Sequence, residues 1–266
     1  MFIESKRNEY CTQIVELLKK YYDSVGIYPE RENNERYSFH CSNKEKCSGD
    51  NLARGMQCHI GYNYGETLKV VVSALDCGNG GADIIERRTH NVLTSHNNPH
   101  MRGTLKAVSL IIDKTPEDSI NYMAMINACK CCHKNDTSHM PKKYYDRCAI
   151  HKIAEYEMLK PDVILFQGKK ELALAGCEKN IHDIEDSDLD SDLNGYLKKY
   201  SDDIEDSDLD SDLKDYLKTY SDGKIECYAV ICIHPSARGR SYAKKKKFYD
   251  EQFPRIAEYL KKKLME

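Results

Sequence analysis

Residues 127–148 read NACKCCHKNDTSHMPKKYYDRC, directly after the apolar run 122–126 (YMAMI) and directly before the amphipathic segment 149–159. A short apolar run of this kind is the mark of a buried strand. It delivers Asn127 and Cys131 to the strand's carboxyl end, and Cys148 is expected to open the helix that follows. Open α/β sheets place ligands and chemistry at that end. Cys129, Cys131 and Cys132 fall within four positions and Cys148 follows a polar loop, a pattern that suggests a metal or cluster more than a core. Upstream, Cys41 and Cys47 stand in the polar loop HCSNKEKCSGD. Two pairs from distant parts of the chain would make one four-thiolate site.

Working outward, three more runs have the nearly continuous apolar character of strands covered on both faces: 68–75 (LKVVVSAL), 162–166 (DVILF) and 225–233 (IECYAVICI). Helical periodicity covers 3–23, ending near Gly26, then 104–112, 149–159 (stopped before Pro161), a segment from Gly168 to Gly176, and 251–264. Strands alternating with helices predict an α/β fold: a three-layer α/β/α sandwich around a central, mostly parallel four-stranded sheet. The 266 residues suit one domain.

The first strand runs into Asp76-Cys77-Gly78-Asn79-Gly80-Gly81, a glycine-rich turn that lets backbone approach a ligand closely. No Gly-Lys-Ser/Thr follows, so it is not a phosphate-binding Walker loop. His90, His96 and His100 are spaced by six and four without an accompanying carboxylate pattern, which argues against a second metal.

Net charge is −3, but residues 183–222 carry 15 acidic against 4 basic side chains, a net of −11 that leaves +8 on the rest. A basic body of this size hints at a polyanionic partner. The acidic stretch is a tandem repeat, DIEDSDLDSDLNGYLKKYSD followed by DIEDSDLDSDLKDYLKTYSD. Two copies are too few to share a solenoid core. Asp186, Asp188 and Asp190 begin like a calcium loop, but Ser191 stands at the glycine position and the closing glutamate is missing. We read 183–222 as a solvated insertion, with an acidic flap competing for the basic face as the alternative. No apolar run approaches the ~20 residues that span a bilayer. The N-terminus MFIESKRNEY lacks an apolar signal region, so a cytoplasmic location is expected. Twelve cysteines there would be thiols, and metal ligation is the expected use of a cluster of them. The gaps of 5 residues (Cys41 to Cys47) and 16 (Cys131 to Cys148) lack the tight knuckles of structural zinc sites. Four thiolates also suit an iron–sulfur cluster. Cys77, Cys177, Cys227 and Cys232, in or beside apolar runs, read as ordinary buried thiols.

With these motifs the chain resembles the uracil-DNA glycosylase superfamily, especially its iron–sulfur branch (families 4 and 5). Asn127-Ala128-Cys129-Lys130-Cys131, the 16-residue gap and Cys148 look like that branch's pyrimidine-reading asparagine and second cysteine pair. Residues 161–168 (PDVILFQG) look like its third strand and following glycine, and Ile233-His234-Pro235-Ser236 like its catalytic His-Pro-Ser/Ala motif with a minor-groove loop after it. Pro99 and His100 sit where the family has Pro-Phe. The resemblance covers roughly 40–260 apart from the repeat. It implies a 4Fe–4S cluster on Cys41, Cys47, Cys131 and Cys148, DNA as partner, and a monomeric, monofunctional glycosylase. His234 would stabilise the departing base, Asn127 would read it, and His100, Gly78, Ser236 and Arg238 would complete the binding site. Three features depart from the family. Its acidic position aligns with Gly78, leaving Asp76 or Asn79 to hold the water. His100 replaces the base-stacking phenylalanine, and the first cysteine pair is wider. These changes leave room for a bulkier or modified pyrimidine, in repair or in defence against phages with modified DNA. The alternative is a non-catalytic iron–sulfur nucleic-acid-binding protein of the same fold.

Overall fold

The computed structural model describes residues 7–28, 40–41, 45–47, 52–53, 57–75, 99–133, 142–168, 177–184, 213–235 and 241–265, with the single positions 85, 89 and 92. In chain order the elements are α1 (Glu9–Val25), β1 (Ile27–Tyr28), β2 (His40–Cys41), β3 (Leu52–Ala53), β4 (His59–Ile60), β5 (Val70–Ala74), α2 (Pro99–Ile112), α3 (Pro116–Ser119), β6 (Met123–Asn127), β7 (Cys132–His133), α4 (Lys142–Leu159), β8 (Val163–Phe166), β9 (Ile181–His182), β10 (Leu217–Ser221), β11 (Glu226–Ile231), α5 (Ser241–Lys247) and α6 (Phe253–Met265).

The four apolar runs become β5, β6, β8 and β11. They lie side by side, with β5 parallel to both β6 and β8, and β11 parallel to β8. The class is α/β, but the sheet is larger than four strands. It is a seven-stranded mixed sheet in the order β4-β6-β5-β8-β11-β10-β9, with β4, β10 and β9 joined antiparallel at its edges. The edge strands escape a search for apolar runs because two have only two residues and β10 (LKTYS) is largely polar, with only Leu217 and Tyr220 buried.

β10 also corrects the extent assigned to the acidic insertion. It falls within 183–222, yet it pairs with β11 from Leu217↔Val230 to Ser221↔Glu226. Leu213, Tyr216, Leu217 and Tyr220 are buried, and Asn180 Nδ2 donates to the Tyr220 hydroxyl at 3.3 Å. The end of the second repeat thus belongs to the sheet; residues 185–212 lie outside the described residues.

Residues alternate across the sheet and feed two cores. Val71, Ala124, Ile126, Ile164, Phe166, Ala229 and Ile231 pack with Ile14 and Leu18 of α1 and Tyr145 and Tyr156 of α4. Val70, Val72, Met123, Met125, Val163, Leu165 and Val230 pack with Leu105 and Val108 of α2 and Ile256 and Leu260 of α6. Helices therefore cover both faces.

Helix boundaries follow local chemistry. Asn8 caps α1 by accepting from the Cys11 amide at 2.7 Å, which fixes the start at Glu9 rather than residue 3, and Gly26 ends it at φ 64°. α4 begins at Lys142, so Cys148 lies in its second turn and does not open it; an i,i+4 pair, Lys142 Nζ to Asp146 Oδ1 at 2.6 Å, extends the helix upstream. The helix expected from Gly168 to Gly176 lies outside the described residues. Among the described residues no helix is long and apolar enough to cross a membrane.

Candidate functional site

The parallel strands end together, and their last residues set the site. Register pairs Ala74 with Asn127 and Ser73 with Phe166, and Phe166 with Ile231. The ladder continues one step further: the Gln167 amide donates to Ser73 O at 3.0 Å and the Cys232 amide to Phe166 O at 2.9 Å. Asn127, Ala74, Gln167 and Cys232 therefore form one transverse row. Its parity is that of Met125, Val72, Leu165 and Val230, so the row faces α2 and α6. Asn127 and Gln167 both sit two strands apart on this row, ~10 Å by strand spacing, with only the small Ala74 between. Both amides are 4% exposed.

α2 brings His100 over this row from its first turn. His100 Nε2 lies 2.8 Å from Gln167 Oε1, Gln167 Nε2 donates to Thr104 Oγ1 at 2.7 Å, and Thr104 Oγ1 donates to the His100 carbonyl at 3.0 Å. Burial pulls the His100 pKa below its ordinary value, opposed by the hydrogen bond to Gln167. The His100 and His234 rings stack face to face, centroids 5.0 Å apart and planes 6° from parallel.

His234 is exposed but its backbone is pinned on both sides. Tyr249, on the π-helical turn Phe248–Gln252, donates its hydroxyl to Ile233 O at 2.7 Å, and Lys245 Nζ donates to Pro235 O at 3.2 Å. Pro235 packs against Gly103 of α2 so closely that a Cβ there would stand 2.7 Å from the Pro235 Cβ. Gly168, at φ 112°, turns the chain away beneath His234, where a side chain would be strained. The four lysines 244–247 at the end of α5 are thus not alike. Lys245 is a structural clamp, while Lys244, Lys246 and Lys247 are exposed beside the site.

The predicted residues fall into three groups. His234, His100 and Asn127 come to one end of the sheet. Asp76, Gly78, Asn79, Ser236 and Arg238 lie outside the described residues. The cysteines gather elsewhere, on the α1/α4 face. Cys47, Cys129, Cys131 and Cys148 share the core there, with Cys41 packed at its border beside its pairing partner Ile27. Cys129 Sγ is 3.8 Å from Cys131 Sγ and hydrogen-bonded to Cys148; the Cys131 contact and then burial push the Cys129 pKa up against the opposing Cys148 bond, while the Cys129 contact and then burial push the Cys148 pKa up. Arg147 Nη1 donates to Cys47 Sγ at 3.4 Å and also to the Lys46 carbonyl. Among the described residues no group of three or more His, Cys, Asp or Glu is arranged to hold a metal ion. The donor chemistry suits a thiolate-bound group even so: soft donors from two distant segments lie in one apolar core, with the Arg147 cation bonded to Cys47. Cys129 is an extra thiol in that core, which spacing alone assigned no role.

Behind the thiols lies a buried ion pair. Lys130 Nζ meets Glu155 Oε2 at 2.5 Å with side chains 3% and 0% exposed, and the Tyr22 hydroxyl donates to Glu155 Oε1. Tyr22 also accepts from the Cys58 amide at 3.0 Å. One turn before Glu155, His151 Nδ1 lies 2.8 Å from the Tyr21 hydroxyl in a hydrogen bond; burial, then the Lys130 charge, lowers the His151 pKa to about 4. Lys152, fully buried, lies over the Phe166 and Tyr156 rings on this same face.

Sequence alone assigns Thr104 and Tyr249 no role, reads Gln167 only as the end of the third strand, and reads Lys245 only as one of four lysines (244–247) suited to gripping phosphates, whereas here it donates to Pro235 O. The one available signal was that Gln167, like Asn127, is an amide ending a buried strand. No family model matches the chain and no curated protein matches it, so what the site does rests on its own geometry and on the motifs quoted above.

Proposed function

We propose that this protein is a monofunctional DNA glycosylase that hydrolyses the N-glycosidic bond of a flipped-out uracil or modified pyrimidine and leaves an abasic site, in repair or in defence against phages with modified DNA. The observation that carries the reading is the pinned His234, stacked on His100 at the carboxyl end of the parallel strands and on the same face as Asn127. Breaking the bond puts negative charge on the leaving base, and a pre-placed donor such as His234 lowers that barrier without reorganising. The base must leave the stack to reach it, and the buried Asn127 amide is suited to reading its edge. Asp76 or Asn79 would hold the attacking water, and Gly78, Ser236 and Arg238 would line the base and phosphates, on the strength of the resemblance. A monofunctional enzyme needs no lysine nucleophile. Lys152 is on the opposite face of the sheet and Lys245 is engaged at Pro235 O, which supports that choice.

Cys41, Cys47, Cys131 and Cys148 would hold a 4Fe–4S cluster, whose contribution is structural: it ties the segment around 41–47 to the strand end and α4. The partner is DNA, met by a monomer in the cytoplasm, with the exposed Lys244 and Lys246 beside the site to meet phosphates. The test is release of free base from DNA carrying uracil or 5-substituted pyrimidines. Tight DNA binding with no release of any base would favour the non-catalytic nucleic-acid-binding protein instead.

A further inference from the structure

We infer that Gln167 is the positioning residue of this site: it holds His100 as the Nε2–H tautomer, flat against His234, and so fixes where His234 stands relative to Asn127. The two amides of the transverse row have different tasks. Each end of the Gln167 amide is engaged by protein, Oε1 with His100 and Nε2 with Thr104. A residue so committed does not read a base; it orients its neighbours.

The polarity of the chain of bonds is determined at every link. The His100 carbonyl can only accept, so the Thr104 hydroxyl donates to it. That hydroxyl then accepts from the Gln167 NH2, which leaves Gln167 Oε1 toward His100 and requires a proton on His100 Nε2. The three residues close one loop: α2 carries both His100 and Thr104, one turn apart, and β8 carries the amide that bridges them. The His100 ring cannot rotate without breaking its bond to the buried Gln167 amide, where an unmade hydrogen bond is costly. Its ring plane in turn sets that of His234, at 5.0 Å and 6°. Two imidazolium rings at that separation repel, so a neutral His100 leaves the proton-bearing, hydrogen-bond-donating part to His234. Two contacts on the His234 segment, Tyr249 to Ile233 O and Lys245 to Pro235 O, fix its backbone. The stack on His100 adds a restraint on the ring, and Gln167 fixes the His100 side of that stack.

The tautomer assignment stands whatever the reaction, whereas its effect on rate rests on the glycosylase reading. The experiment pairs long-range ¹H–¹⁵N spectra of the imidazoles in the full-length protein with single-turnover base release from a uracil-containing duplex. In the wild type, His100 should show a protonated Nε2 and an unprotonated Nδ1. Gln167→Leu should lose that pattern and slow release by about 10- to 100-fold, as misorientation does, with DNA affinity within about twofold. Gln167→Glu, which keeps the acceptor, should retain the Nε2 proton. If Gln167→Leu does not fold, Gln167→Asn, one methylene too short to reach His100, carries the same expectation. A His100 pattern unchanged in Gln167→Leu or Gln167→Asn overturns the inference. If the pattern is present in the wild type and lost in the variant but no protein releases base, Gln167 still positions His100 and the glycosylase reading fails.

Discussion

His151 shows how a single side chain can report on the environment of the thiol corner. Its pKa is about 4 in the folded chain against an ordinary 6.5, because burial and then Lys130 disfavour the imidazolium. Between those values the unfolded chain binds a proton that the folded chain does not, so stability falls as pH falls from 6.5 toward 4. The slope approaches about 1.4 kcal/mol per pH unit for one proton. His151→Gln, which keeps a hydrogen-bonding partner for Tyr21, should remove this part of the dependence. Urea midpoints of both proteins at pH 7 and pH 5 would show it, the wild type losing more; parallel losses would contradict the assignment. That Asn127 and His234 stand at strand ends was readable, because each follows a short apolar run. The bonds of Gln167 were not, because its partners His100 and Thr104 lie 67 and 63 residues away and only the packed fold brings them within reach.

At the scale of elements, the contact between α2 and the segment after β11 has no slack. A methyl group at Gly103 would stand 2.7 Å from the Pro235 Cβ, so Pro235, and His234 with it, must shift. Gly103→Ala should therefore slow base release by about 10- to 100-fold with a melting temperature close to the parent, read by single-turnover kinetics and calorimetry on the same sample. A rate equal to the parent would mean that the His234 position is not critical. The four central strands were readable because each is buried on both faces and therefore apolar throughout. β10 was not, since Lys218, Thr219 and Ser221 are only partly buried and its sequence is masked by the acidic repeat that contains it. Register, not composition, places Tyr220 in the core.

For the whole molecule, the described ends of the repeat divide what can be removed from what cannot. Deleting 185–212 and joining the ends with a short flexible linker should leave a cooperatively folding protein. Deleting 183–222 removes β10 and the buried Leu213, Tyr216, Leu217 and Tyr220, and should abolish cooperative unfolding. Similar melts for both deletions would contradict the assignment of β10 to the sheet. The thiol corner makes a second whole-chain prediction. Protein purified without oxygen should be brown, with about four iron and four sulfide per chain. Cys131→Ser should lose colour and solubility together, whereas Cys177→Ser should lose neither. Colourless protein with stoichiometric zinc would contradict the cluster. The spacing of Cys129, Cys131 and Cys132 pointed to a group of thiols, but the 3.8 Å approach of Cys129 to Cys131 comes from the turn after β6 and is read only in the fold.

The most direct test of the central claim is single-turnover release of free base from DNA carrying uracil or a 5-substituted pyrimidine, comparing the parent with His234→Ala. The proposed function predicts free base and an abasic site from at least one such DNA. It also predicts a ~10²–10³-fold slower rate in His234→Ala, the loss expected when one donor to a developing anion is removed, with DNA binding barely changed. Release at the parental rate by His234→Ala, or no release from any of these DNAs by a parent protein that binds them, would contradict it.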